Sequence, residues 1–425
     1  MTTRLTMTLK TLKQTAVAVG LTSTLWGALA VPASADTQYI TALFKPNPAN
    51  PMQNKFDNTT AQSSICLAHI PAQCKALGIF SLRFDSFKAS SHVPIVANHS
   101  DPRAGAYFKV PSSFRNVDVR HTKTGELETV QVRIAGVGSL WTMPRPPGVS
   151  AWAQPGASWG SQWSTAPTPC LSTRHLAASA SYASFFWVVP RDAGACSRVP
   201  SVDIAWFNYF SMEYAYELIT PNPLGMASGQ YVGSITYSVG GAGADFDFGD
   251  NMTPSSDGQI TLDFTLDVQH ELKVDIPPGG TNIELVPQGG WQAWLNQGRK
   301  PTRLFRDQTV NLYASSRFKM GLDCQYAEAD NDCRVRDSVS GETVPVNVSV
   351  TLPFGLTDPV GRPVSRQPLR RDGVGTELFQ PTQYVERKPS TLHFEIGRDE
   401  VEKMLKVGES RTYSGNITVI WDSEV

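Results

Sequence analysis

Alternation of apolar and polar residues dominates the chain after its first thirty-five positions. A period of two residues is typical of β-strands that bury one face and expose the other to water. The alternation is clearest in four segments, at 128–137, 260–274, 308–314 and 344–352. Turn-forming clusters rich in Gly, Pro and Asp interrupt it at 239–250, 277–280 and 353–363. Only 398–407 has helical character, so the pattern predicts an all-β fold with little helix.

The length of the chain, 425 residues, exceeds what one ordinary hydrophobic core organises and predicts two domains. A short internal echo agrees with this prediction, because Tyr231–Thr236 reads YVGSIT and Tyr413–Thr418 reads YSGNIT. We interpret the two copies as corresponding strands of two related sandwiches, each with about seven strands. The boundary between them would lie near 277–280.

The first thirty-five residues are typical of an export signal. Arg4, Lys10 and Lys13 precede an apolar run that is too short to span a bilayer comfortably, and Ala33–Ala35 has the A-x-A pattern of a cleavage site. We therefore expect a signal peptide at 1–35 and a mature chain that begins at Asp36. Removal of three basic residues and no acid changes the formal charge from −1 to −4, which gives no indication of nucleic-acid binding. No later stretch is apolar enough to span a membrane.

Six cysteines lie in three local pairs, Cys66/Cys74, Cys170/Cys196 and Cys324/Cys333. An exported chain meets an oxidising compartment, so we expect these cysteines to form disulfides. Zinc binding is the alternative, but no C-x-x-C spacing accompanies them. The sequence leaves the connectivity open, because six cysteines can pair in many ways.

The sequence that follows the first copy of this short repeat differs from the sequence that follows the second copy. An alternating segment from Ile260 to Ile276 follows the first copy and can complete its sheet. After the second copy the sequence runs out at Val425, so we expect the second domain to lack its final strand. One face of the last strand would then line a donor-strand groove, formed by Tyr413, Gly415, Ile417, Val419 and Trp421. The alternative is that this strand is a satisfied edge or central strand of a closed sandwich.

A sandwich that lacks an edge strand exposes unpaired backbone groups and the apolar side chains behind them. A partner's extended segment can supply the strand by β-strand addition. Burial of four or five large apolar donor side chains would contribute about 6 to 15 kcal/mol before the ordering costs are subtracted. Such a joint would be very durable.

The arrangement resembles the minor tip subunits of class 5 fimbriae, which belong to the alternate chaperone–usher pathway and include the colonisation-factor tip adhesins and the cable-pilus initiator. The likeness rests on the two-domain layout, the early cysteine pair, and the segments 271-ELKVDIP-277, 283-IELVPQGG-290 and 413-YSGNITVIW-421. It implies two immunoglobulin-like β-sandwich domains in tandem, the second lacking its final strand. The adhesin domain would span 36–277, a linker 278–280, and the strand-accepting pilin domain 281–425.

The resemblance also implies partners and a location. They are a periplasmic pilus chaperone, an outer-membrane usher, the major pilin subunit as strand donor, and a host-cell receptor such as a glycan, at an extracellular fimbrial tip. Neither a cofactor nor catalytic turnover is expected. Two alternatives stay open, an assembly initiator with little adhesive activity and an exported carbohydrate-binding protein or carbohydrate-active enzyme unrelated to pili.

The receptor-binding residues are the least determined by the sequence. The resemblance points to a basic position that corresponds here to Arg120, although the glycines and alanine at 240–243 stand where related adhesins carry arginines. An arginine on a strand is more often simply solvated. A second candidate is the tryptophan-rich segment with Trp141, Trp152, Trp159 and Trp163, since tryptophans on loops can anchor a ligand. The alternative is that these rings fold back over the sandwich.

Other patterns carry weaker hypotheses. The G-x-S-x-G match at 156–160 lacks the strand and helix that a nucleophile elbow requires. Asp245, Asp247 and Asp250 could offer oxygen ligands to calcium, but they do not have EF-hand spacing, so a solvated acidic turn is favoured. A basic cluster faces either a neighbouring subunit or water, and its members are Arg299, Lys300, Arg303 and Arg306.

Overall fold

A computed structural model describes residues 36–63, 65–146, 150–152, 161–254, 258–328, 331–406 and 411–423. The predicted signal peptide at 1–35, the G-x-S-x-G match at 156–160 and Trp159 lie outside these residues. Within the described ranges, no helix has the length and apolar character that crossing a bilayer requires.

The residues up to Asp275 form a first group of strands. They are β1 (Asp36–Phe44), β2 (Asp57–Asn58), β3 (Ile79–Phe84), β4 (Ala89–Ser91), β5 (Ala106–Phe108), β6 (Arg115–His121), β7 (Leu127–Thr142), β8 (Leu171–Ala178), β9 (Tyr182–Val188), β10 (Cys196–Arg198), β11 (Asn208–Ile219), β12 (Gly229–Gly240), β13 (Phe246–Asp247), β14 (Met252–Pro254), β15 (Gln259–Val268) and β16 (Leu272–Asp275).

The remaining residues form a second group. They are β17 (Leu304–Ala314), β18 (Phe318–Cys324), β19 (Tyr326–Ala327), β20 (Cys333–Asp337), β21 (Thr343–Thr351), β22 (Leu356–Thr357), β23 (Gln367–Leu369), β24 (Gln380–Pro381), β25 (Val385–Ile396), β26 (Tyr413–Ser414) and β27 (Ile417–Ser423). Helices are short: α1 (Pro71–Leu77), α2 (Ser161–Ser164), α3 (Gln292–Gln297) and α4 (Arg398–Met404), with 3-10 turns at Pro102–Ala104 and Pro223–Gly225 and a π turn at Ile65–His69.

The predicted all-β fold with little helix is confirmed. The four alternating segments fall on β7, on β15 with β16, on β17 and on β21, and the one predicted helix is α4. The alternating sequence pattern reflects burial of one face of each strand. In β15, for example, the side chains of Ile260, Leu262 and Phe264 are buried, and those between them are half-exposed.

The first group builds a large sheet with the strand order β14-β4-β11-β7-β6-β12-β15-β1-β2. β12 pairs antiparallel with β15, and β15 in turn pairs parallel with β1 from Asp36–Ile260 to Phe44–Val268. A second sheet has the order β16-β17-β25-β21-β20-β19, so β16 joins strands of the second group, and β18 forms a separate pair with β27. The sheets thus divide the chain between β15 and β16.

Two main hydrophobic clusters accompany these sheets. One draws its buried residues from the range 40–268, and the other draws them from the range 304–401. β16 belongs by pairing to the second group, because its residues hydrogen-bond to β17. The proposed domain limits at 277 and 281, and the immunoglobulin-like topology of each half, stay predictions.

Disulfides join the three local cysteine pairs, as the sequence predicts. They link Cys66 to Cys74, Cys170 to Cys196 and Cys324 to Cys333, with Cα–Cα distances of 5.6, 5.9 and 5.4 Å. The first bridge closes the π turn onto α1 and packs into a small apolar cluster with Ile65 and Ile79.

Candidate strand-acceptor groove

The strand β27 has one paired edge. It pairs antiparallel with β18 over its whole length, from Cys324–Ile417 to Phe318–Ser423. Within the described ranges, no strand pairs with its other edge. β18 differs, because on its far side the N–H of Met320 donates to the carbonyl of Thr376 at 3.0 Å. An open edge therefore follows the second copy of the echo.

Strand β27 presents an apolar face that is only partly covered. Ile417, Val419 and Trp421 are half-buried and pack on the second cluster, and the ring of Trp421 lies 5.7 Å from that of Phe318 between centroids. The residues between them point to solvent, including Ile420, which is 44% exposed. Burial therefore alternates along this strand as the sequence predicts, and the donor-strand groove on its apolar face stays a prediction.

A second wall faces this strand. In the segment 281–286, Ile283 and Leu285 are half-buried and pack on the second cluster, whereas Asn282 and Glu284 are more exposed. Between the two walls lie two adjoining cavities, of about 660 and 250 Å³. Both are lined by Ile283, Leu285, Val335 and Gly415. We call this space, between 281–286 and 413–417, the acceptor groove.

The larger cavity occupies the end of the acceptor groove near Tyr413. Its apolar lining combines aromatic rings with aliphatic side chains and a methionine. These residues are Trp291, Trp294, Tyr413, Leu304, Ile396, Leu405 and Met404. Lys406 and Arg411 add positive charge there, and Glu284 adds a carboxylate. This end can accommodate a bulky side chain.

The first copy of the echo is in a different situation. In β12 every residue from Gly229 to Ser238 has a partner in β15, and Tyr231 also pairs with His121 of β6. Tyr231 and Tyr237 are fully buried. The prediction that the segment after the first copy completes its own sheet is confirmed.

The glycines at the third position of the two copies share a structural role. A Cβ on Gly233 would lie 2.2 Å from the carbonyl oxygen of Asp118, and a Cβ on Gly415 would lie 3.1 Å from that of Arg334. Each glycine therefore allows close approach of a neighbouring strand. This shared role supports the interpretation of the echo as corresponding positions.

A buried carboxylate fixes the start of β26 and β27, which we together call the acceptor strand. Asp337 accepts hydrogen bonds from the N–H and the hydroxyl of Ser340 at 2.8 and 2.7 Å, and from the N–H of Thr412 at 3.1 Å. These donors, those of Ser340 first, lower the pKa of Asp337 to about 2. No sequence pattern pointed to Asp337, because its partner Thr412 is far away along the chain.

The tryptophan hypothesis is contradicted for three of its residues, because Trp141, Trp152 and Trp163 are buried. Trp152 and Trp163 are 1% and 0% exposed, and their rings pack edge to face at 5.2 Å. Trp141 and Trp187 join the same cluster and are equally buried. These rings form part of the first core and offer no face to a receptor, so the candidate receptor-binding role of Trp152 and Trp163 is wrong. The alternative, that the segment folds back onto the sandwich, holds for them.

Arg120 lies in β6 and is exposed. Its guanidinium donates to the carbonyl oxygen of Gly125 at 2.9 Å and so spans the β6–β7 turn. Its role in receptor binding stays a prediction.

The acidic turn is ion-paired instead of open to a cation. Arg103 binds Asp247 through two nitrogens at 2.9 and 3.0 Å and contacts Asp250 at 2.7 Å, while Arg115 binds Asp245. Among the described residues no cluster of three metal-ligating side chains occurs. In the basic cluster, Arg303 approaches Glu395 at 3.4 Å, whereas Arg299 and Lys300 are exposed.

Comparison with known proteins adds structural similarities only. Neither a family model nor a curated protein matches the chain. Similar solved structures include a chaperone–tip adhesin complex of CFA/I fimbriae, with 11% identity, coverage of 92% of this chain and 97% of that chain, and a TM-score of 0.24. CfaE, the adhesive subunit of the CFA/I fimbria of enterotoxigenic Escherichia coli, has 11% identity, coverage of 92% and 95%, and a TM-score of 0.23.

A third similar structure is the CsuC–CsuE chaperone–tip adhesion subunit complex of the archaic Csu pili of Acinetobacter baumannii. It has 8% identity, coverage of 91% of this chain and 98% of that chain, and a TM-score of 0.20. Identities and TM-scores this low do not establish a common fold.

Proposed function

We propose that this chain is a minor tip subunit of a bacterial fimbria, which initiates pilus assembly by accepting a donor strand from the major pilin. The observation that carries the proposal is the open edge of β27 beside the acceptor groove. Unpaired N–H and C=O groups of an edge strand bind any extended segment of suitable sequence, and the groove selects segments with alternating apolar side chains.

The contrast within the chain supports this assignment. β12 meets the strand β15 from its own chain, and the related strand β27 meets only β18 among the described residues. An inserted donor strand would occupy the position at β27 that β15 occupies at β12. The half-buried residues Val419 and Trp421 would then become buried, as their counterparts Tyr237 and Val239 are in the first half.

The remaining roles follow from the same proposal. An acceptor with an exposed apolar groove needs a periplasmic chaperone during transit, because the groove otherwise promotes aggregation. Delivery to an outer-membrane usher and display at the extracellular tip complete the route. The first mature strand, β1, is already paired with β15, so it is not available as a donor arm. The part of the chain at 36–277 would bind the host receptor, and no enzymatic activity is proposed.

Native mass spectrometry of the mature chain from the periplasm tests the proposal, with and without co-expression of its neighbouring secretion genes. We expect a one-to-one complex with a small chaperone, and aggregation or degradation when the chaperone is missing. A stable folded monomer in both preparations would contradict the proposal.

A further inference from the structure

Three polar side chains from three adjacent strands meet on the solvent side of the second sheet. Asp307 of β17 lies directly opposite His393 of β25, and Thr351 belongs to the next strand, β21. The neighbours Leu392 and Phe394 turn into the core, so alternation turns His393 to the opposite face. This group is distinct from the acceptor groove and is not used by it.

The three side chains form a directed chain of hydrogen bonds. His393 Nδ1 lies 2.7 Å from Asp307 Oδ1, and His393 Nε2 lies 2.8 Å from Thr351 Oγ1. A carboxylate only accepts, so the proton of the neutral imidazole resides on Nδ1 and Nε2 is an acceptor. With the imidazole neutral, the hydroxyl of Thr351 therefore donates to His393 Nε2.

The backbone completes this arrangement at the hydroxyl. The N–H of Arg366 donates to Thr351 Oγ1 at 3.0 Å. A donor at this position stabilises negative charge that develops on the oxygen when its proton leaves. A nucleophile bonded to a base, with the base oriented by a third group, is the arrangement that activates hydroxyls in nucleophilic catalysis.

Burial and access differ along the chain of hydrogen bonds. His393 is 8% exposed and so has a fixed orientation, whereas the side chain of Asp307 is 45% exposed. Thr351 is half-buried, near the end of β21. The residue that carries the hydroxyl is therefore not closed off from solvent, and its base is held in place by packing.

We propose that Thr351 is a covalent modification site that takes an acyl group from an activated ester. The Oγ1 of Thr351 attacks the acyl carbonyl, and its proton passes to His393 Nε2. The carbonyl carbon then releases the leaving-group oxygen, which takes that proton from His393, so an ester of Thr351 and a free alcohol or phenol result. Asp307 is a positioning residue that holds the imidazole in the required tautomer. The reaction loads one acyl group per chain.

The test uses p-nitrophenyl acetate on the purified mature chain, with site-resolved peptide mass spectrometry. We expect one acetyl group on Thr351, formed about 100-fold faster than on Thr309, because general-base assistance contributes about 10²- to 10⁴-fold. Thr309 is the internal control, since it is an exposed threonine on the same face of β17 without a histidine contact among those the structure describes.

Variants distinguish activation of the Thr351 hydroxyl by His393 from simple exposure of that hydroxyl to the reagent. Thr351→Ser should keep the modification, Thr351→Val should remove it, and Asp307→Asn should slow it at least about tenfold, since it no longer selects the tautomer. Circular dichroism confirms that each variant is folded, and Thr351→Ser with Asp307→Asn suffices if Thr351→Val does not fold. Acetylation of Thr351 no faster than that of Thr309, or unchanged in Asp307→Asn, overturns the proposal.

Discussion

The carboxylate of Asp337 accepts a hydrogen bond from the backbone N–H of Thr412 at 3.1 Å, immediately before the acceptor strand begins at Tyr413. Its second carboxylate oxygen accepts hydrogen bonds from the N–H and the hydroxyl of Ser340 in the turn after β20. One buried carboxylate thus connects the hairpin of β20 and β21 to the strand that lines the acceptor groove. The groove wall is positioned from within the fold before any partner binds.

Replacement of Asp337 by Asn should lower the thermal unfolding temperature and loosen 411–414. The folded pKa of about 2 lies below the ordinary value of about 4, so the carboxylate stabilises the fold fully above about pH 4, and this contribution is lost as the pH falls towards about 2. The free energy of unfolding of wild type should therefore decrease over this range more than that of Asp337→Asn. Parallel pH profiles for the two proteins would show that the carboxylate does not contribute.

Charge in the acceptor groove should block assembly. Ile417→Asp or Val419→Asp places a carboxylate on the half-buried face, where a donor side chain would have to bury it unpaired. We expect no incorporation into fibres, measured by immunogold labelling of tips. The matched control is Ile420→Asp, which adds the same charge to the exposed face of the same strand, where Ile420 is 44% exposed and lies opposite Gly321. Normal fibres from both groove variants would refute the groove assignment.

The two echo glycines should respond unequally to alanine. At Gly233 a Cβ would lie 2.2 Å from the backbone oxygen of Asp118, and rotation of a side chain cannot relieve this clash. Gly233→Ala should therefore lower the free energy of unfolding by about 1 to 3 kcal/mol. At Gly415 the corresponding distance is 3.1 Å, and a small shift suffices. Chemical denaturation of the two variants measures this order, and a larger loss for Gly415→Ala would reverse it.

The tryptophan cluster should behave as core. Trp152→Ala or Trp163→Ala removes a fully buried ring and should cost about 3 to 5 kcal/mol of unfolding free energy. Any loss of host-cell adhesion should then accompany loss of folded protein. Phe210→Ala is a suitable control, because its side chain is 44% exposed. Adhesion that disappears while the unfolding temperature of Trp152→Ala stays at the wild-type value would instead revive a receptor contact.

The first half should fold alone. Its main cluster draws buried residues only from the range 40–268, so a fragment of residues 36–277 is expected to unfold cooperatively on heating. Differential scanning calorimetry of the fragment makes this measurement. A broad transition without a heat-absorption peak would place the domain limit elsewhere.

The local sequence pattern predicted the strands well, because burial of one strand face imposes a period of two residues whatever the position of that strand in the fold. It also predicted the disulfides, since each joins cysteines that are close along the chain. It left the placement of Trp152 and Trp163 open, because their burial depends on contacts with Phe207 and Trp187 from later in the chain. The Asp307–His393–Thr351 group was equally invisible, because strand register alone brings its members together.

Hydrogen exchange on the mature chain tests the central claim most directly. Backbone amides of β27 should exchange faster than those of β12 in the chain alone. Among the described residues β27 pairs only with β18, whereas β12 pairs with β15 from Gly229 to Ser238 and its other edge pairs with β6 at Tyr231 and Val232 and with β13 at Val239 and Gly240. Addition of the partner that co-purifies with the chain should then slow exchange within 413–423 and leave 229–240 unchanged. Equal, slow exchange in both strands without a partner would mean that β27 already has its second neighbour, and it would contradict the proposed strand acceptance.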